Sequence, residues 1–232
     1  MRRAVARASL AAFVLSLSVA ASSDLPDAWI VLEATPGTPG SDPTAAPPRF
    51  VLLKDGQVFV GGTAHLEAGR LEKGEAAALR KRAEQARKVA GPSPVALGGD
   101  PSRTLRLRVP GGEPAEVTAT GDPAAAPPSL APLATLLADL LRFDHPSLRP
   151  YAPTSYALTV REVRLRGGCR PWGFAMPIAE ALAGPRVVTA VEASGWPTGA
   201  VPASVCAEDA RPSANGGRYA VTLRPLLPGE RP

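Results

Sequence analysis

Residues 50–60 have the sequence FVLLKDGQVFV, in which two apolar, strand-forming runs flank Asp55 and Gly56. An Asp-Gly pair between such runs is typical of a two-residue β-hairpin loop. That loop forms a type I′ turn, which needs a positive φ at both central residues. The stretch therefore predicts a β-hairpin, and with it a sheet, in the N-terminal half of the chain.

A helix is predicted directly after the hairpin, over residues 72–90. Leu79, Ala83, Ala86 and Ala90 recur at the spacing of one helix face. Gly91-Pro92 follows, and this pair is typical of a helix end. Because the apolar face is rich in alanine, we expect this helix to pack closely against a sheet.

The same order of elements then recurs. Residues 104–109 alternate between apolar side chains and arginine, as a half-buried strand does, and residues 115–120 are predicted to return as its partner. A second helix is predicted over residues 129–143, with Ser129 as its N-cap and Pro132 in its first turn. Its apolar stripe consists of Leu133, Leu136, Leu137, Leu140 and Leu141. Residues 24–146 are therefore predicted to form an α+β domain of two strand–strand–helix units, an antiparallel sheet with helices on one face.

This region resembles a known family of small bacterial envelope domains over residues 49–143. The resemblance rests on residues 50–53, the Asp55-Gly56 turn, residues 58–62 and Gly69 ahead of the first helix. It continues in the second hairpin and in the leucine-rich helix from Leu130. The resemblance implies a secreted strand–strand–helix domain, and it implies no activity.

The N-terminus has the pattern of a secretory signal. Three arginines precede an apolar stretch, residues 8–20, that ends in small residues. Cleavage is predicted after Ala20 or Ala21, which makes residues 1–21 the signal peptide. Since a membrane span needs about 20 apolar residues, a retained N-terminal anchor is only the alternative. We expect a secreted or periplasmic protein with no integral membrane segment after cleavage.

The charge balance argues against two classes of partner. The chain has 26 Lys and Arg against 21 Asp and Glu, and three of the arginines lie in the predicted signal. The remaining chain therefore has 23 basic residues, a net charge of +2. This excess is too small to indicate binding to nucleic acid or to anionic lipid.

Residues 147–232 are predicted to form a β-rich subdomain, although one sheet continuous with the preceding region is an alternative. Strands are predicted over residues 155–166, 186–193 and 218–226, with a short helix over residues 176–183 and a loop over residues 207–217. Cys169 and Cys206 are the only cysteines of the chain. In an oxidising compartment such a pair predicts one disulfide, and two free buried thiols are the alternative.

The chain lacks the common catalytic motifs. His65 and His145 are the only histidines, and we expect His65 at the surface and His145 beside the last carbonyls of the second helix. Asp144 could orient His145 as a general base, but no nucleophile is identifiable. We expect no catalytic residues, no metal site and no cofactor. Paired carboxylates acting on a glycan are the enzymatic alternative, with Glu162, Glu180 and Glu192 as candidates.

The candidate binding residues lie in Gly- and Pro-rich segments near the predicted disulfide. They are Arg170, Trp172, Phe174 and Trp196. Trp and Arg are common at the centres of protein interfaces, so these residues predict a contact surface. The alternative is that both tryptophans fold inward and fill the core of the subdomain.

The sequence therefore favours an exported, non-enzymatic binding or scaffolding protein of the bacterial envelope. The partner class that we expect is an envelope protein, and the oligomeric state is open. The alternatives are an exported glycan hydrolase and a small-ligand carrier, which requires a cavity of about 300 Å³ or more.

Overall fold

The computed structural model describes residues 25–35, 47–61, 66–91, 94–111, 114–163, 168–198, 205–208 and 217–231 of the 232-residue chain. The predicted signal peptide, residues 1–21, and His65 lie outside the described residues. Within the described residues, no helix combines the length and the apolar character that crossing a membrane requires.

The first part of the chain forms an eight-stranded mixed sheet and two helices. In chain order the elements are β1 (Ala28–Thr35), β2 (Phe50–Leu53), β3 (Gln57–Val60), β4 (Glu67–Arg70), α1 (Lys73–Ala90), β5 (Val95–Gly98), β6 (Thr104–Arg108), β7 (Glu116–Gly121), α2 (Ala131–Leu141) and β8 (Arg149–Pro150). The strand order is β5-β7-β6-β1-β2-β3-β4-β8. All neighbours are antiparallel except β5 and β7, which are parallel.

The described residues of the rest of the chain form a second, five-stranded sheet and one short helix. Its elements are β9 (Ser155–Glu162), β10 (Arg170–Pro171), α3 (Ile178–Leu182), β11 (Arg186–Thr189), β12 (Val205–Glu208) and β13 (Arg218–Pro225). The strand order is β10-β12-β13-β9-β11, with β10 and β12 parallel. The α+β class is thus confirmed, and strands outweigh helices.

Sequence alternation determines which side of the first sheet the helices cover. Leu105 and Leu107 of β6 are fully buried, whereas Arg106 and Arg108, which alternate with them, point to the other face. The alanine face of α1 and the leucine stripe of α2 pack in the same cluster as Leu105 and Leu107. A second cluster includes Val31, Phe59 and Leu227. The end of the chain therefore packs against residues of the first sheet.

The strand arrangement differs from the simple predicted units. Four strands precede α1 and three more lie between α1 and α2, rather than two before each helix. The chain leaves β4 near one edge of the sheet, and after α1 it enters β5 at the opposite edge. Because of this crossing, β5 runs parallel to β7, so the sheet is not purely antiparallel as predicted.

The hairpin over residues 50–60 is present, but its predicted type I′ turn is wrong. Gly56 has a φ of +87°, and no described non-glycine residue has a positive φ, so Asp55 does not adopt the required conformation. The loop instead has three residues, Lys54, Asp55 and Gly56, and the Gly56 N–H donates to the Leu53 carbonyl at 3.1 Å. The Asp55 side chain accepts the Gln57 N–H at 2.9 Å, which stabilises this conformation.

The predicted N-cap of the second helix is also wrong. Ser129 lies inside a 3₁₀ turn, Pro128–Leu130, and Leu130 occupies the N-cap position of α2. Pro127 and Pro128 fix their own φ angles, and the Ala131 N–H bonds to the Pro128 carbonyl. The 3₁₀ turn therefore precedes the helix along the chain, and α2 starts two residues after Ser129.

Candidate functional site

The predicted aromatic contact residues lie mostly inside the core of the second sheet. Phe174 and Trp196 are only 7% and 8% exposed and belong to the cluster beneath α3. Trp172 is half-buried, and its Nε1 donates to the Met176 carbonyl at 2.8 Å. Arg170 is the exposed member of the set. These side chains therefore offer a partner little aromatic surface.

The four side chains form one continuous stack. The rings of Trp172 and Phe174 lie 4.9 Å apart, and those of Phe174 and Trp196 lie 4.8 Å apart. The Arg170 guanidinium covers Trp196 at 4.3 Å from the ring centroid and donates to the Gly195 carbonyl at 2.7 Å. This cation–π contact closes the outer end of the stack. The arrangement can stabilise the loops that hold it.

The predicted disulfide is present and holds this stack in place. Cys169 and Cys206 are bonded, with their Cα atoms 4.8 Å apart. The bond joins the residue before β10 to a residue of β12, where Arg170 pairs with Ala207. Ala207 and Glu208 therefore belong to a strand rather than to the predicted loop.

The candidate carboxylates of the C-terminal half are held in separate contacts. Glu192 accepts hydrogen bonds from the Thr189 N–H at 2.8 Å and from its Oγ1 at 2.9 Å. These two bonds lower the pKa of Glu192. Glu180 pairs with Arg186 at 3.6 Å, and Glu162 lies opposite Tyr219 at the end of β9. No contact in the described residues joins any two of these acids.

His145 has partners other than the predicted helix-end carbonyls. Its Nδ1 accepts from Ser147 Oγ at 2.7 Å and from the Ser147 N–H at 3.2 Å, which assigns the proton to Nε2. Nε2 faces Glu75 Oε1 at 3.4 Å, so the partner carboxylate is Glu75 rather than Asp144. Local hydrogen bonding to Ser147 satisfies Nδ1, and Glu75 of α1 satisfies Nε2, so both ring nitrogens have partners away from the helix-end carbonyls.

Ser147, His145 and Glu75 resemble a nucleophile–base–acid series, but Ser147 is tightly packed. Its Oγ also accepts the Arg70 N–H at 3.0 Å. A Cβ atom added at Gly69 would lie 2.5 Å from this oxygen, so Ser147 sits directly on the β4 backbone. The series therefore ties α1 to the edge of the first sheet, and its hydroxyl has little room for a substrate.

An open cleft lies along α2 and has a volume of about 510 Å³. We call it the α2 cleft. Its lining residues come from the residue before β6, the segment after β7, and α2 with its C-cap: Arg103, Asp122, Pro123, Ala124, Ala126, Ala131, Ala134, Thr135, Ala138, Asp139, Leu141 and Arg142. A second cleft of about 370 Å³ shares Ala138, Asp139 and Arg142 with it. The two clefts thus flank the C-terminal half of α2.

The charged side chains of the α2 cleft fall into two groups. Asp139 forms an ion pair with Arg82, and Asp122 Oδ1 accepts the Ala124 N–H at 2.9 Å. The side chains of Arg103 and Arg142 have no hydrogen-bond or ion-pair partner within the described part of the chain. The cleft therefore presents two arginines whose hydrogen-bond donors are available to a ligand.

The α2 cleft was not predicted from the sequence. Ala131, Ala134 and Ala138 recur at helical spacing beside the leucine stripe, and this row of small residues was the available signal. Such a row is compatible with close helix packing as well as with a cleft. The position of Arg103 beside it depends on the sheet order, which the sequence analysis did not predict.

Comparison with known proteins gives no relative from which a function could be inferred. No family model, no curated protein and no solved structure matches the chain. The resemblance of residues 49–143 to small envelope domains stays a prediction.

Proposed function

We propose that this protein is an exported, non-enzymatic binding protein of the bacterial cell envelope and that the α2 cleft is its recognition site. Two features support export. The N-terminal residues 1–21 have the pattern of a signal peptide. The Cys169–Cys206 disulfide fits an oxidising compartment.

The observation that carries the recognition site is the pair of available arginines in the α2 cleft. Arg103 and Arg142 line an open cleft of about 510 Å³, and neither side chain is used within the described residues. By contrast, Arg170 already packs over the Trp196 ring and donates a hydrogen bond to the Gly195 carbonyl. Binding at the aromatic stack would need these contacts to be replaced, whereas binding at the cleft would not.

A small-ligand carrier is the second candidate function. The volume of the α2 cleft lies in the range of about 300–1,000 Å³ that is typical of ligand sites. The hydrolase alternative gains no comparable support from the cleft. Asp122 and Asp139 both line it, but Asp139 is paired with Arg82 and Asp122 accepts a backbone hydrogen bond.

The proposal is tested by cross-linked affinity purification of the tagged protein from its native envelope and medium. The baits are the wild type, the double variant Arg103→Ala/Arg142→Ala, and the variant Arg106→Ala. Arg106 is a suitable control because its side chain is also without a partner among the described residues but lies outside the cleft.

We expect a stoichiometric envelope protein with the wild type and with Arg106→Ala, and its loss with the double variant. Equal recovery with all three baits would overturn the assignment of the cleft. In that case Arg170→Ala tests the aromatic stack. Recovery of no partner with any bait would overturn a scaffolding role and leave the carrier as the candidate.

A further inference from the structure

Most arginine side chains around the first sheet already have a hydrogen-bond or ion-pair partner. The partnered ones are Arg49, Arg70, Arg80, Arg82, Arg87, Arg108 and Arg149. Among the described residues of this region, the arginine side chains without a partner are those of Arg103, Arg106 and Arg142. Two of these three line the same cleft, so two guanidinium groups without a partner in the described residues are concentrated there.

The net charge of the α2 cleft favours a ligand that carries one negative charge. Arg103 and Arg142 contribute two positive charges and Asp122 contributes one negative charge, while Asp139 is neutralised by Arg82. The lining therefore has a net charge of +1. A monoanion would complete this balance, whereas a dianion would leave an excess negative charge beside Asp122.

The C-terminal end of α2 would ordinarily disfavour an anion, because the last carbonyls of a helix carry partial negative charge. Here the Leu141 carbonyl accepts a hydrogen bond from Arg49 Nε at 3.0 Å. The Arg142 and Phe143 N–H groups also bond to carbonyls of the last turn. The last carbonyls of α2 thus already accept hydrogen bonds from within the fold, and the Arg142 side chain remains available to another acceptor.

The cleft combines its charged side chains with an apolar part, which we call its floor. The floor is formed by Ala126, Ala131, Ala134 and Ala138, together with Pro123 and part of Leu141. Small side chains leave room for a ligand to lie along the helix and bury an apolar body. A purely inorganic anion would contact the arginines but leave this floor uncovered.

From these features, and resting on the proposed recognition role of the cleft, we infer that the α2 cleft binds a single carboxylate attached to a short apolar group. Guanidinium groups match the planar, two-oxygen geometry of a carboxylate. The carboxylate could come from a free organic acid or from the C-terminus of a peptide. The chemistry is the same in both cases, and the test separates the two sources.

The test measures binding by isothermal titration calorimetry to the full mature protein. The probes are hexanoate and N-acetyl-Ala-Leu with a free carboxylate, each matched by its amide, and inorganic phosphate. We expect at least one acid to saturate the wild type and its amide to bind at least about tenfold more weakly. Arg103→Ala and Arg142→Ala should each weaken the same acid by about tenfold or more, while Arg106→Ala should not.

The inference is overturned if neither acid saturates the folded wild type, or if an acid and its amide bind equally. It is also overturned if phosphate binds more tightly than both acids, or if the cleft variants bind as the wild type does. Thermal unfolding of each variant checks that the fold is intact. If the double variant loses its envelope partner while no acid binds, the proposed function stands and only the ligand class fails.

Discussion

At the scale of single residues, the most deeply buried ion pair lies near the end of the chain. Arg224 Nη1 and Glu230 Oε1 are 2.6 Å apart, and their side chains are 8% and 0% exposed. The other carboxylate oxygen accepts the Leu227 N–H at 2.9 Å. Leu227 itself packs among residues of the first sheet, so this pair fixes the segment through which the chain end contacts that sheet.

Replacing Glu230 with Gln should strongly destabilise the protein. The substitution keeps the side-chain shape but leaves the Arg224 charge buried without a counter-charge, which typically costs about 3–5 kcal/mol. The matched control is Glu84→Gln, because Glu84 pairs with Arg80 at the surface of α1. That change should cost at most about 0.5 kcal/mol. Urea unfolding of both variants measures the difference, and similar losses would show that the buried pair has no special role.

At the scale of elements, the start of α1 depends on a carboxylate. Glu75 Oε2 accepts the Glu72 N–H at 2.8 Å, as part of a capping box, and Glu75 Oε1 faces His145 Nε2. The backbone hydrogen bond from Glu72, and to a smaller extent His145, holds the pKa of Glu75 below its usual value of 4.5. Glu75 therefore joins the first turn of α1 to the segment that follows α2.

The pH dependence of stability should report this contact. Because the pKa of Glu75 is lower in the folded state, its contribution is present at neutral pH and is lost as the pH falls through the folded pKa, below 4.5. Wild type and Glu75→Gln should differ in free energy of unfolding at pH 7 and converge in acid. Urea unfolding between about pH 3 and 7 tests this. A difference that is constant over this range would contradict it.

Local sequence patterns decided which helices and strands could be predicted from the sequence. The β2–β3 hairpin is marked by the Asp55-Gly56 pair between two apolar runs, and β6, α1 and α2 are long enough to show alternation or helical spacing. The strands β4, β5, β8, β10 and β12 have only two to four residues each, and they are defined by pairing with neighbouring strands rather than by a pattern of their own. The predicted type I′ turn at Asp55 was wrong because the Asp55 side chain accepts a local hydrogen bond from Gln57. The predicted N-cap at Ser129 was wrong because the adjacent prolines place Ser129 in a 3₁₀ turn.

The candidate site was less predictable than the fold. The Cys169–Cys206 disulfide followed from composition and from the predicted compartment. The α2 cleft joins Arg103, Asp122 and Arg142, which lie in three separate segments. Whether an arginine has a partner depends on tertiary contacts, as the contrast between Arg82 and Arg142 shows. The aromatic contact surface stays a prediction, although burial of Phe174 and Trp196 favours a role in the core.

At the scale of the whole molecule, the two sheets have separate cores but differ in how they are held together. The first core is covered by two helices that pack against each other. The second has one short helix, and its edge strand β10 has two residues and pairs with β12. The disulfide closes the chain between these two strands across a sequence separation of 37 residues. We therefore expect the second sheet to depend on the disulfide far more than the first.

Removing both cysteines should accordingly destabilise the second sheet selectively. For a loop of this length the chain-entropy model gives a loss of about 3.8 kcal/mol. In Cys169→Ala/Cys206→Ala, amide hydrogen exchange should accelerate in β10, β12 and the adjoining β13, while β1, β2 and β6 stay protected. The control is the wild type under the same non-reducing conditions. Equal acceleration in both sheets would instead mean that they unfold as one cooperative unit, joined through the contacts of Leu227 with the first sheet.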